Sequence, residues 1–103
     1  MARVSIIDKE DKHIVYLGGY MDTPSTPDVE KGLEPLLTKV DKDIIFDCIS
    51  LDYIASSVLR LLLRILKNAK AKGHHVYITN ISPTIREAFR LTGFLNLFEQ
   101  LES

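Results

Sequence analysis

The sequence predicts an α/β fold: a small β-sheet with helices packed against it, in a single domain over residues 1–103. Three observations carry this. Short runs rich in β-branched residues alternate with longer segments whose apolar residues recur at helical spacing. Each of the two clearest helical segments follows a compact apolar run of strand length. No repeat, low-complexity stretch or linker interrupts the chain, and 103 residues suit one small domain.

The elements follow in order. "RVSIIDKEDKHIVYLGG" reads as two strands around a charged turn at residues 9–12, the second strand covering residues 13–17 and ending at Gly18 and Gly19. "MDTPSTPDVEKGLEPLLTKV" reads as a weaker helix. Ser25 or Thr26 can cap it, Pro27 suits its first turn, and Val29, Leu33, Leu36, Leu37 and Val40 form its apolar stripe. Pro35 inside that stripe is expected to kink or split the helix, because proline removes a backbone donor. "DIIFDCIS" has the nearly continuous apolar character of a central strand covered on both faces.

A helix over about residues 57–72 comes next, with Arg60, Arg64, Lys67 and Asn68 in a narrow polar arc and Leu61 and Leu63 at the flanks of a wide apolar one. Gly73 ends it, after Lys70 and Lys72, whose charges suit that end of the helix dipole. "HHVYITNI" is a second buried-type strand. In "SPTIREAFRLTG", Ser82 can cap a helix with Pro83 in its first turn, Thr84 and Glu87 offer a second start, and Gly93 stops it. Phe94, Leu95, Leu97 and Phe98 supply a last apolar segment.

Charge and composition narrow the function classes. Thirteen basic residues against fourteen acidic ones give a net charge of −1, which offers no electrostatic footprint for nucleic acid. Cys48 is the single cysteine, so no disulfide can form within the chain, which suits a reducing compartment. The amino terminus meets charges too early for a secretory signal, and Arg60 and Arg64 break the longest apolar stretch, so direct membrane insertion is not expected. The expected location is the cytoplasm.

Strands alternating with helices imply parallel pairing and right-handed crossovers, and sites in such sheets lie at the carboxyl ends of strands. Asp22, Asp47 and Ser56 are expected to gather at that edge. No phosphate loop, nucleophile elbow or metalloprotease motif is present, so no enzyme is predicted and no cofactor is implied. His74 and His75 read as a polar strand start rather than metal ligands, Cys48 as packing, and the Asp22 and Asp47 carboxylates as turn and strand-end groups rather than a catalytic pair. Ser56 and Ser57 have two readings. A serine at a helix start usually caps it. A phosphate there would face free N–H groups and the positive end of the dipole, adding about two negative charges.

The stretch "IIFDCISLDYIASSVLRLLLRILKNAKAKGHHVYITNISPTIREAFRLTGFLNLFE" resembles the STAS domain of bacterial anti-sigma-factor antagonists, and the likeness extends over nearly the whole chain. The "ISPTIREAFRLTGFLNLFE" segment matches closely, "LGGYMD" is similar to the family's Gly-x-Leu-Asp turn, and Asp47 stands nine residues before Ser56, as the strand-end Asp does in members. Ala55, Val58 and Arg60 stand where the family has Asp, Gly and Gly. The resemblance implies a small mixed sheet with helices packed against it.

It also implies partner switching. The antagonist binds an anti-sigma factor that is a serine kinase, is phosphorylated at Ser56 (Ser57 being second choice), and is reset by a cognate phosphatase. The kinase supplies ATP and Mg²⁺. The implied partner surface comprises Asp22, Asp47, Ser56, Ser57, Val58, Leu59, Arg60 and Leu63. The alternative is an accessory subunit without a phosphorylation cycle, docked permanently on another protein such as a lipid-transport ATPase; the bulky Val58 and Arg60 favour it.

Overall fold

The charged segment after Asp8 turns the chain back on itself. In the computed structural model of the protein, which describes residues 1–101, β1 (Arg3–Asp8) pairs antiparallel with β2 (Lys12–Met21). A 3₁₀ turn at Thr23–Ser25 leads into α1 (Thr26–Thr38), followed by β3 (Asp43–Ile54), α2 (Ser56–Ala71), β4 (Val76–Thr79), α3 (Pro83–Leu91), a 3₁₀ turn at Leu95–Leu97 and β5 (Glu99–Leu101). The sheet order is β1-β2-β3-β4-β5, with every pair after the first parallel. The fold is therefore the predicted α/β arrangement, with a mixed sheet.

Strand order never reverses, and crossovers of one hand advancing in one direction place all their helices on the same side. The burial pattern of β3 follows from this. Ile44, Phe46 and Cys48 are buried under the helices, whereas Ile45 and Asp47 are half-buried and Ile49 is exposed. The expectation of a strand covered on both faces is corrected: one face only is covered.

The Gly18–Gly19 pair does not end β2 at residue 17 as expected. The strand runs on to Met21 through two irregularities of register against β3. A side chain on Gly18 would meet the Arg3 guanidinium at 2.9 Å, and Gly19 has φ +78° and lies against the Met1 carbonyl. The glycines thus let the first residues of the chain lie close over the bulged strand. Likewise β3 extends past Ser50 to Ile54.

Pro35 does not split α1, which runs unbroken from Thr26 to Thr38. It sits in the last turn on the exposed side, and Thr38 Oγ1 donates to Glu34 O at 3.1 Å. Gly32 has a packing reason, since a Cβ there would lie 3.0 Å from Val4 Cβ on β1. In α3, Ser82 Oγ accepts from Ile85 N–H at 3.2 Å, so the helix starts at the first of its two candidate caps. Glu87, the acid of the second, pairs with Arg90 instead. Phe98 is buried edge-on against Phe46 and Phe89, with centroids 6.3 and 5.6 Å apart. That contact anchors the short β5 strand that follows it.

Candidate functional site

The carboxyl ends of β2 and β3 are tied together. Met21 and Ile54 are register partners, and Ala55 N–H donates to Met21 O at 2.8 Å. From this shared end the two chains diverge into helices: Asp22 opens the turn before α1, and Ser56 opens α2. Asp22 and the two serines therefore meet at one edge, as the carboxyl-end rule requires.

Neither serine caps α2. Ala55 takes the N-cap position with extended backbone, φ −82° and ψ 158°, and offers no side-chain acceptor. Ser56 is one position further in, exposed, with its hydroxyl unbonded among the described residues. Ser57 is half-buried and its Oγ lies 2.7 Å from Thr26 Oγ1. Thr26 Oγ1 in turn donates to Asp22 O at 3.3 Å, which fixes the Ser57 hydroxyl as the donor between the two side chains. Asp22 O also accepts from Ser25 Oγ at 2.9 Å, and the Asp22 carboxylate accepts from Ser25 N–H at 3.0 Å. The result is one hydrogen-bonded chain joining the amino ends of α1 and α2. At α2 the Ser56 and Ser57 N–H groups open to this edge without a backbone acceptor among the described residues, while Val58 N–H donates to Ala55 O at 3.0 Å. At α1 the preceding 3₁₀ turn already takes up Thr26 N–H through Thr23 O, and Pro27 has none.

The other expected site residues separate into three groups. Asp47 is not at the edge. It pairs with Tyr16, five residues before Met21 along β2, which is roughly 17 Å of strand rise. Its Oδ1 accepts from Asn80 Nδ2 and from Ile49 N–H, both at 3.0 Å, so it fastens the β4–α3 loop to mid-sheet. Asn80 has φ +58° there, a conformation asparagine tolerates.

Val58 and Leu59 are 0% and 1% exposed. Their side chains belong to the core and present nothing to a partner, because they fall on the sheet-facing side of α2. Arg60 is exposed and Leu63 is half-buried, which leaves both on the outer surface of the same helix. The sheet itself carries a feature unread in the sequence. Tyr20 and Tyr53 are register partners and stack at 4.7 Å with a 19° interplanar angle, 52% and 40% exposed. Cross-strand pairing through two bulges hides such a pair from sequence spacing.

Burial of Cys48, followed in weight by the neighbouring Asp47 charge, pushes its thiol up to about 12. At the opposite end of the sheet, His13 is buried with Nδ1 2.5 Å from Asp8 Oδ1 and Nε2 3.1 Å from Asp41 Oδ1. The His13 hydrogen bond holds the Asp41 carboxyl below its usual value. Among the described residues no cluster of His, Cys, Asp and Glu could hold a metal ion, and no helix is long and apolar enough to cross a membrane.

Comparison with known proteins gives a consistent result. Residues 4–103 match the family model described as the STAS domain. BtrV of Bordetella bronchiseptica, a candidate anti-sigma factor antagonist, is 28% identical over 93 residues, covering 89% of this chain and 80% of its own. The anti-sigma-B factor antagonist of Staphylococcus epidermidis is 27% identical over 94 residues, covering 91% and 87%. Among solved structures, the anti-sigma factor antagonist SpoIIAA in its unphosphorylated form superposes with a TM-score of 0.77 at 17% identity, over 100% of this chain and 88% of that one. The phosphorylated form of Bacillus SpoIIAA gives 0.71, also at 17% identity, over 100% and 91%. With its sheet order, its serine edge and a family match over nearly all of its length, the chain belongs to the STAS domain family.

Proposed function

We propose that this chain is an anti-sigma-factor antagonist that works by partner switching, with Ser56 as its phosphoacceptor. One observation carries the choice of residue. Ser56 Oγ is exposed and unbonded among the described residues, whereas Ser57 is committed to Thr26. An incoming γ-phosphoryl group needs a free hydroxyl lone pair in line with its leaving group. Transfer to Ser56 breaks no contact, whereas transfer to Ser57 replaces the proton that its hydroxyl donates to Thr26 Oγ1.

In the unmodified state the edge formed by Asp22, Ser56, Ser57, Arg60 and Leu63 docks on an anti-sigma factor that is itself a serine kinase. Val58 and Leu59 support that edge from within the core, and Asp47 stands apart from it, at the β4–α3 loop. The kinase transfers the γ-phosphoryl group of ATP to Ser56 Oγ: the O–P bond forms, the bond to ADP breaks, and the serine proton passes to a kinase base. The product carries about two added negative charges near pH 7. The phosphate faces the free N–H groups at the start of α2, so the fold is unchanged. The docking edge, already bearing the Asp22 carboxylate, becomes strongly anionic, and the complex dissociates. A phosphatase transfers the phosphoryl group to water and restores the serine.

Isothermal titration of the unmodified and phosphorylated chains against the host's anti-sigma kinase tests this reading. The unmodified form should bind at least about tenfold more tightly, corresponding to about 1.4 kcal/mol. Equal affinities would sink partner switching and favour a permanently docked accessory subunit.

A further inference from the structure

The one-sided helix packing leaves the second face of the sheet bare. Parallel strands rarely stay so, because their faces are apolar and are normally covered on both sides. Here an apolar row crosses four strands in register, Ile7 to Ile14 to Ile45 to Tyr77, with Tyr16 and Ile49 beside it. Ile7 is 44%, Tyr16 38% and Ile49 67% exposed. With the Tyr20–Tyr53 stack, 52% and 40% exposed, the face carries on the order of 500 Å² of exposed surface on apolar and aromatic residues, the size of the largest patch on a typical soluble monomer, about 300–600 Å² and often functional.

The charges on this face point to its occupant. Arg3 on β1 lies opposite Gly18, and Asp47 on β3 lies opposite Tyr16, so they flank β2 on its two sides. Among the described residues Arg3 has no carboxylate within ion-pair distance. Asp47 uses Oδ1 for both of its hydrogen bonds, which leaves Oδ2 open. A two-fold axis lying in the interface and crossing β2 between Tyr16 and Gly18 sets Arg3 of each copy against Asp47 of the other. Such reciprocity is what an isologous interface needs. It also removes the cost of covering Asp47 without a counter-charge.

We propose that two copies of this chain pack through their open sheet faces, with Ile49 and Tyr16 at the centre and reciprocal Arg3–Asp47 ion pairs. This does not depend on the switch reading, since the start of α2 lies at the strand ends and not on the face.

Sedimentation velocity of the full chain over about a hundredfold concentration range tests the proposal. The parent should move from the 11.7 kDa species toward twice that mass as concentration rises. Ile49→Asp should weaken self-association about tenfold or more while leaving the urea midpoint of the dilute monomer unchanged, because Ile49 is exposed in the single chain. Ile7→Lys, on the far side of the face, should shift it in the same direction. Arg3→Asp should weaken it, and Arg3→Asp with Asp47→Arg should recover it. A parent that stays monomeric throughout overturns the proposal and leaves the face to another protein. So does Ile49→Asp or Ile7→Lys dimerising as tightly as the parent.

Discussion

The hydroxyl pair between Thr26 and Ser57 is the contact that fixes the relative position of the two helix starts, and it can be measured. Thr26→Val removes Oγ1 while keeping shape and β-branching. It deletes the 2.7 Å bond to Ser57 and the 3.3 Å bond to Asp22 O. A net hydrogen bond contributes about 0.5–1.5 kcal/mol. Both groups are half-buried, so water recovers part of the loss, and about 1–1.5 kcal/mol is expected for the variant. Ser57→Ala deletes only the shared bond and should cost about 1 kcal/mol or less. The two losses overlap, so a double-mutant cycle by urea unfolding should give a coupling of about 0.5–1 kcal/mol. With a urea slope of about 1–3 kcal/mol/M for a small domain, each 1 kcal/mol moves the midpoint by roughly 0.3–1 M. Losses that add without coupling would refute the claim that this bond ties α1 to α2.

Further outcomes follow from the core and the titrating groups. Leu59→Ala should cost about 2–5 kcal/mol, whereas Leu63→Ala, four residues on but half-buried, should cost clearly less; thermal or urea unfolding checks both. Native Cys48 should resist a thiol reagent at pH 8 and react only at the rate at which the chain opens, because its thiol is buried and titrates near 12. Asp41 binds its proton more weakly in the folded chain than in the unfolded one, its carboxyl being held below 3.8 chiefly by the His13 hydrogen bond. Its contribution is therefore complete above that value and is lost as pH falls through the folded value. Asp41→Asn should accordingly lower stability in the neutral region, where the contribution is complete, converge with the parent at acid pH, and so flatten the acid limb of the stability curve.

What was legible in the sequence was what local chemistry decides. The Ser82 cap, the Pro83 first turn and the positive-φ glycines Gly73 and Gly93 mark helix ends by short-range rules, and they lie where those rules put them. The half-buried Leu63 at the flank of α2 follows from helical periodicity alone. What stayed hidden depends on partners distant in sequence. Gly18 and Gly19 read as a strand end, yet they accommodate Arg3 and Met1 within a bulged strand. Asp47 reads as a strand-end group when the apolar run ends near Ser50, and the extension of β3 to Ile54 moves the edge away from it. Val58 and Leu59 belonged to an apolar arc wide enough to suggest either the core or a docking surface, and sheet packing chose the core. Local helix chemistry does not separate Ser56 from Ser57; the family resemblance ranks Ser56 first, and the approach of Thr26 from α1 ties up the Ser57 hydroxyl.

That distinction is the centre of the proposed switch, and site mapping tests it directly. The chain, its Ser56→Ala variant and its Ser57→Ala variant would each be incubated with the host's anti-sigma kinase and ATP, and the phosphorylated residue located by mass spectrometry. The parent and Ser57→Ala should carry a single phosphate on Ser56, and Ser56→Ala should carry none. Phosphate on Ser57 in the parent, or no phosphate on any of the three despite measured binding to the kinase, would contradict the account.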